Sequence, residues 1–123
     1  MIPLNLLFGT AFYARIWQNV PNNNNGLYQT GTFKTSAGFK NFSTKLSRDS
    51  GFVFYWDGVV KAPYAYNTAQ KLFATFDNKR SIEIKSKYVI EKKLGGIMFW
   101  QLGDDTFCNG LLQTKYTTIK SGK

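Results

Sequence analysis

Apolar positions along this chain are spaced in three different ways, and each spacing predicts a different kind of element. "LLFGTAFYARIW", residues 6–17, is nearly continuous in apolar side chains. That is the pattern of a strand buried on both faces, as in parallel sheets. The stretch from Asn22 to Gly26 can only be a loop. From Leu27 to about Phe76 the chain breaks into short aromatic pieces, "GLYQTGTF", "FVFYWDG", "APYAYN" and "KLFATFD", punctuated by Gly and Asn. Their alternation predicts a small antiparallel sheet, with "AGFKNFSTKLS" at 37–47 the weaker helical candidate beside it.

The spacing then changes to helical. Asn78 is a good N-cap, and "KRSIEIKSKYVIEKK" after it contains no Gly or Pro. Ile82, Val89 and Ile90 fall on one side with Ser86 between them, while Lys79, Lys87 and Glu91 lie opposite. This predicts an amphipathic helix of about four turns, ending before Gly95-Gly96. A second buried strand follows, roughly Gly96 to Leu102, and "NGLLQTKYTTIK" opens a further helical pattern.

The predicted order is buried strand, antiparallel insertion, helix, buried strand. Without the insertion a β-α-β unit remains, whose strands are expected to be parallel neighbours. No complete small fold is built from one such unit with so long an insertion at its first loop. The pattern fits a piece of a larger α/β protein, and (β/α)₈ barrels tolerate insertions at the strand C-terminal ends where their active sites lie.

Composition narrows the chemistry. The 123 residues suit a single core. Sixteen Lys and Arg against seven Asp and Glu leave a net charge of +9, which favours an anionic partner on electrostatic grounds alone. The bases are scattered, with only Lys79-Arg80 and Lys92-Lys93 adjacent, so they read as a solvated face and no nucleic-acid partner is expected. Such a partner would show itself in steep salt dependence. A single cysteine, Cys108, allows no internal disulfide, and the lack of histidine removes Cys/His metal sites and imidazole-based triads. "MIPLNLLFGTAF" has no basic n-region, and no run approaches the length of a membrane span, so a soluble chain with no membrane partner is expected.

Three motifs, taken together and in order, resemble family 18 of the glycoside hydrolases, the chitinases. "GTAFYARIW" is similar to the family's seventh barrel strand, an aromatic or apolar residue followed by Tyr-Gly-Arg, with Ala14 in place of the Gly. "KAPYAYN" through "FATFDNKRSIEIKSKYVIEKKLGGIMFWQL" resembles the end of the chitinase insertion domain, the seventh helix, and the eighth strand with its Gly-Gly-x-Met-x-Trp motif. The resemblance runs from about Leu7 to Leu112. It implies an α+β segment: a small antiparallel sheet with a helix, flanked by two parallel strands and a helix from a (β/α)₈ barrel. Residues 1–19 would be the seventh-strand segment, 20–77 the insertion domain, and 78–123 the seventh helix, eighth strand and tail.

Period-2 geometry puts Tyr13 and Arg15 on one face of their strand, and Met98 and Trp100 on one face of theirs. On residue type alone, Tyr13, Met98 and Trp100 read first as core, since large aromatics mostly fill interiors. Arg15 is the discriminator, because a lone Arg in a buried apolar strand needs a partner or a solvated cleft. The resemblance implies that all four surround a sugar: Trp100 as an apolar platform, Tyr13 and Arg15 as hydrogen-bonding groups. Gly95-Gly96 are expected to let the helix end and the strand begin in little space. Trp17 stands where several bacterial relatives by this resemblance also have Trp, Trp56 is read as mainly structural, and Pro63-Tyr64 as fixing the turn into the last insertion strand. Asp104 and Asp105 are read as a surface turn.

The departures bear on activity. The family's Asp-x-x-Asp-x-Asp-x-Glu run and its Met-x-Tyr-Asp motif are absent from this chain. The resemblance implies hydrolysis of β-1,4-N-acetylglucosamine polymers with retention, the substrate's own acetamido group acting as nucleophile and a Glu as acid. No metal or cofactor is implied, and the parent protein would be secreted. Without that Glu the segment by itself is expected to be inactive, contributing a substrate-binding wall for chitin or N-acetylglucosamine oligosaccharides. The alternative is a chitinase-like lectin that binds without hydrolysis. If the chain were complete, its two barrel-type strands would lack neighbours, and self-association as a dimer is expected.

Overall fold

A computed structural model of the chain describes residues 6–122. The first five positions of the 1–19 segment, and Lys123, lie outside the described residues. Ten strands and α-helices follow one another: β1 (Leu7–Ala11), β2 (Tyr13–Gln18), β3 (Thr32–Gly38), α1 (Phe42–Lys45), β4 (Val53–Asp57), β5 (Ala62–Asn67), β6 (Leu72–Thr75), α2 (Lys79–Glu91), β7 (Gly96–Trp100) and α3 (Leu111–Ser121). Strands β1 and β7 form a parallel pair, with Leu7 opposite Gly96 and Ala11 opposite Trp100. The other five make an antiparallel sheet in the order β3-β2-β6-β5-β4. The expected fold class is the one found.

The apolar run at 6–17 does not form a single strand buried on both faces. It splits at Phe12 into β1, paired with β7, and β2, the second strand of the antiparallel sheet. Phe12 donates its N–H to the Trp100 carbonyl at 2.8 Å, and its own carbonyl accepts from the Phe39 N–H at 2.8 Å. One residue thus carries the chain from one sheet to the other, and every polar group of its backbone is satisfied. Its fully buried ring stacks on Phe99, centroids 4.9 Å apart. Phe12, Ile82 and Leu111 form the core that joins the parallel pair to α2 and α3.

A second core lies on one face of the antiparallel sheet. Ala14 and Ile16 of β2, Ala65 of β5, and Leu72 and Ala74 of β6 meet Leu46 and Phe52. Side chains alternate across a strand, so Tyr13, Arg15 and Trp17 occupy the opposite face of β2. Ile16 pairs with Thr35 but Trp17 pairs with Phe33, which leaves Lys34 unpaired as a bulge in β3. Pro63 and Tyr64 sit within β5, where Pro63 faces Trp56 and Tyr64 stacks on Tyr55. They do not form the expected turn.

Helix α2 starts where its sequence predicts. The Asn78 side chain accepts from the Ser81 N–H at 2.9 Å, and the Ser81 hydroxyl accepts from the Asn78 N–H at 2.9 Å, a reciprocal cap that satisfies two donors with no helical partner. Its end differs from expectation. The left-handed residue after the helix is Lys93, at φ 52°, and neither Gly95 nor Gly96. Gly96 instead lies close to the neighbouring strand: a Cβ there would stand 3.3 Å from the Leu7 side chain, a tight contact. Strand β7 stops at Trp100, and Leu102–Asp104 forms a 3₁₀ turn in place of the strand's predicted last residue.

Candidate functional site

Where β2 leaves the parallel pair, an open cleft of about 310 Å³ is lined by Tyr13, Arg15, Ser36, Gly38, Trp100 and Asp104. Each element has a local reason to present these groups. Tyr13 and Arg15 share the non-core face of β2, and β3 sets Gly38 and Ser36 directly opposite them. Trp100 is the last residue of β7, and the Phe12–Trp100 hydrogen bond anchors it at the corner where Tyr13 begins β2. The 3₁₀ turn that follows brings Asp104 back over Gly38, where a Cβ would come within 2.7 Å of the Asp104 Oδ1.

Three of the four expected site residues therefore meet in one cleft. Trp100 is 66% exposed and Met98 54% exposed, on the face of β7 opposite Phe99, which turns inward onto Phe12. Met98 shares the Trp100 face but lies outside the cleft lining, with its Cε 3.6 Å from where a Cβ on Gly9 would be. A large aromatic left this bare offers a flat apolar surface with a polar edge. The Arg15 guanidinium lies 5.8 Å from the Tyr13 ring centroid and 5.7 Å from that of Phe33, a cation–π setting that orients it without neutralising it. The ion pairs among the described residues are Lys85–Asp77, Lys87–Glu83 and Lys92–Glu91, and Arg15 belongs to none of them. No group of His, Cys, Asp or Glu among the described residues is placed to hold a metal ion.

Two larger cavities lie elsewhere. One of about 1090 Å³ runs past Leu102, Phe107, Leu112 and Tyr116, and one of about 720 Å³ separates α2 from α3. Size points away from the cleft at Trp100. Its chemistry singles it out, since an exposed aromatic, a phenol, an unpaired guanidinium and a carboxylate converge there.

The other tryptophans are tied into the scaffold. The Arg80 guanidinium of α2 sits 3.9 Å over the Trp56 ring. Trp17 packs edge-on against Phe33, centroids 5.6 Å apart. Two polar residues were not anticipated. Asp77 is 5% exposed and accepts from the Ser81 hydroxyl at 2.7 Å, the Lys85 ammonium at 2.7 Å and the Ala11 N–H at 3.1 Å, fastening the end of β1 to α2. An acid directly before the Asn78 cap was its one sequence signal. Asp105, read as part of a surface turn, caps α3 through the N–H groups of Leu111 and Leu112, both at 2.8 Å. Gly110 has no Cβ because one would collide with that carboxylate.

With this geometry in hand, comparison with known proteins is decisive. The sequence profile described as Glycosyl hydrolases family 18 matches residues 2–105. The chain belongs to glycosyl hydrolase family 18. It is 36% identical over 118 residues to Chitinase A1 of Niallia circulans, covering 89% of this chain and 17% of that protein. Among solved structures, it resembles the family 18 N-acetylglucosaminidase from Paenibacillus barengoltzii with a TM-score of 0.79 and 36% identity, covering 91% of this chain and 33% of that one. A chitinase from Bacillus thuringiensis superimposes with a TM-score of 0.88 at 26% identity, over 98% of this chain and 24% of its own. The chain thus spans a third or less of these family 18 relatives.

Proposed function

We propose that this chain forms one wall of the substrate cleft of a chitinase-type glycoside hydrolase acting on β-1,4-linked N-acetylglucosamine polymers. The observation that carries the reading is the convergence of Tyr13, Arg15 and Trp100 from two different sheets on one open cleft. A pyranose has an apolar C–H face and a rim of hydroxyls. The Trp100 ring matches the first, and Tyr13 and Arg15 offer directed hydrogen bonds to the second. The names of the relatives, a chitinase and an N-acetylglucosaminidase, point to the same sugar.

The role of this wall is binding. The chain has no Asp-x-x-Asp-x-Asp-x-Glu run, and Asp104, the one carboxylate that lines the cleft, has no second acid there to share the work of general acid and nucleophile stabiliser. The 123-residue polypeptide is therefore expected to bind chitin oligosaccharides weakly, with a Kd on the order of 1 mM, because an open cleft covers only part of a ligand. It is expected to release no reducing sugar from them.

Titration with N,N′,N″-triacetylchitotriose, followed by tryptophan fluorescence, tests this reading. Trp100→Ala should abolish the response, while Trp56→Ala should leave the affinity unchanged, since the Trp56 ring is engaged by Arg80. Binding that survives Trp100→Ala, or turnover that depends on Trp100, would contradict the proposal.

A further inference from the structure

We infer that Asp104 is a sugar-binding residue of the cleft: its carboxylate accepts hydrogen bonds from hydroxyl or amide N–H groups on the edge of the pyranose that lies on Trp100, opposite donors from Arg15. This rests on the cleft reading above and adds a residue that the sequence pattern assigned to a surface turn.

Four observations converge on it. Asp104 lines the same cleft as Trp100, Tyr13 and Arg15. Its carboxylate stands directly over Gly38, where any larger residue would push it aside, so the backbone of β3 is shaped to hold it there. The neighbouring Asp105 uses both oxygens on the amides of α3 and on Thr106. Asp104, by contrast, has no hydrogen-bond or ion-pair partner for its side chain among the described residues. Finally, Arg15 is in no ion pair among the described residues, and its cross-strand neighbours are the uncharged Ser36 and Thr75.

Two opposite charges therefore flank one small cleft without meeting. Closing on each other would gain little, because exposed ion pairs contribute about 0–1 kcal/mol. A neutral sugar with neighbouring hydroxyls can satisfy both at once, and hydrogen bonds to ionised groups are the stronger kind. The ligand displaces water from Asp104, so it has to return donors at that edge. The arrangement favours a neutral polyhydroxylated ring and rejects one carrying a carboxylate or sulfate beside Asp104.

The test is the affinity of the 123-residue chain for N,N′,N″-triacetylchitotriose, measured by NMR titration for the wild type, Asp104→Asn, Asp104→Ala and Trp100→Ala. Asn keeps the shape over Gly38 and removes the charge, and Ala removes the acceptor altogether. Both Asp104 variants should bind roughly tenfold more weakly, the loss typical of a hydrogen bond to an ionised group, with unchanged thermal midpoints. If both bind within about twofold of wild type while Trp100→Ala abolishes binding, Asp104 is a spectator and the cleft reading stands alone. If Trp100→Ala also leaves the affinity unchanged, both readings fall.

Discussion

Lys115 shows how far the environment of a single residue can differ from what its type suggests. It lies on α3, is 7% exposed, and places its ammonium 4.3 Å from the centroid of Phe99, the ring that stacks on Phe12. Burial lowers its pKa from the ordinary lysine value of 10.5, since the charged form loses solvation that the ring only partly replaces. The unfolded chain therefore holds this proton to higher pH than the folded one. Stability should rise with pH from the lowered folded value up to the ordinary one, and below both values the penalty is present in full. Lys115→Met, which keeps the length and removes the charge, is expected to raise the midpoint of urea denaturation at pH 7, with a gain that shrinks as pH approaches 10.5. A variant that unfolds earlier than wild type at pH 7 would show that the cation–π contact outweighs the desolvation. Nothing local marks this lysine in the sequence. Its position follows from the switch of sheets at Phe12, which turns Phe99 toward α3.

At the scale of elements, legibility followed whether an element's cause is local. Helix α2 was readable because its reciprocal cap spans only Asn78 to Ser81 and its buried side, Ile82, Ser86 and Val89, repeats at helical spacing. Strand β5 was readable from its alternation between breakers. The division of 6–17 was not. No Gly or Pro marks Phe12, and the break consists of its hydrogen bonds to Trp100 and Phe39, residues far along the chain. That same hidden break decided how much of the site could be foreseen. Period-2 geometry sets Tyr13 and Arg15 on one face, but only the resemblance to family 18 singles them out with Trp100 as site residues, and Asp104 joins them only once the 3₁₀ turn folds it over Gly38. The end of α2 is a further case, since the left-handed position fell on Lys93 although two glycines stood nearby. Lys93→Gly should therefore stabilise the chain by about 0.5–1 kcal/mol, by removing the cost of a side chain at positive φ. Equal or lower stability in chemical denaturation would mean that the added freedom of the unfolded chain cancels the gain.

For the whole molecule, the described residues put the charged and polar helices on one side of the parallel pair and leave Leu7, Met98 and Trp100 exposed. Leu7 and Met98 are about half covered and Trp100 about a third, so completing the burial of each would contribute on the order of 1 kcal/mol. Strands β1 and β7 pair only with each other among the described residues, and unpaired strand edges are adhesive. As an isolated 123-residue polypeptide the protein is expected to self-associate, most simply as a twofold dimer, despite its net charge of +9. Light scattering that reports a clean monomer at micromolar concentration would contradict this. The wall formed by β2, β3, β7 and the turn after it is expected to bind N-acetylglucosamine oligosaccharides. This is tested most directly by mapping backbone amide shifts of the ¹⁵N-labelled chain during titration with N,N′,N″-triacetylchitotriose. Shifts that saturate together at 13–15, 36–38 and 98–104, with the Trp100 indole N–H among them, are expected. Shifts centred instead on the groove at Phe107 and Tyr116 or on the space between α2 and α3, with the Trp100 signal unmoved, would contradict it.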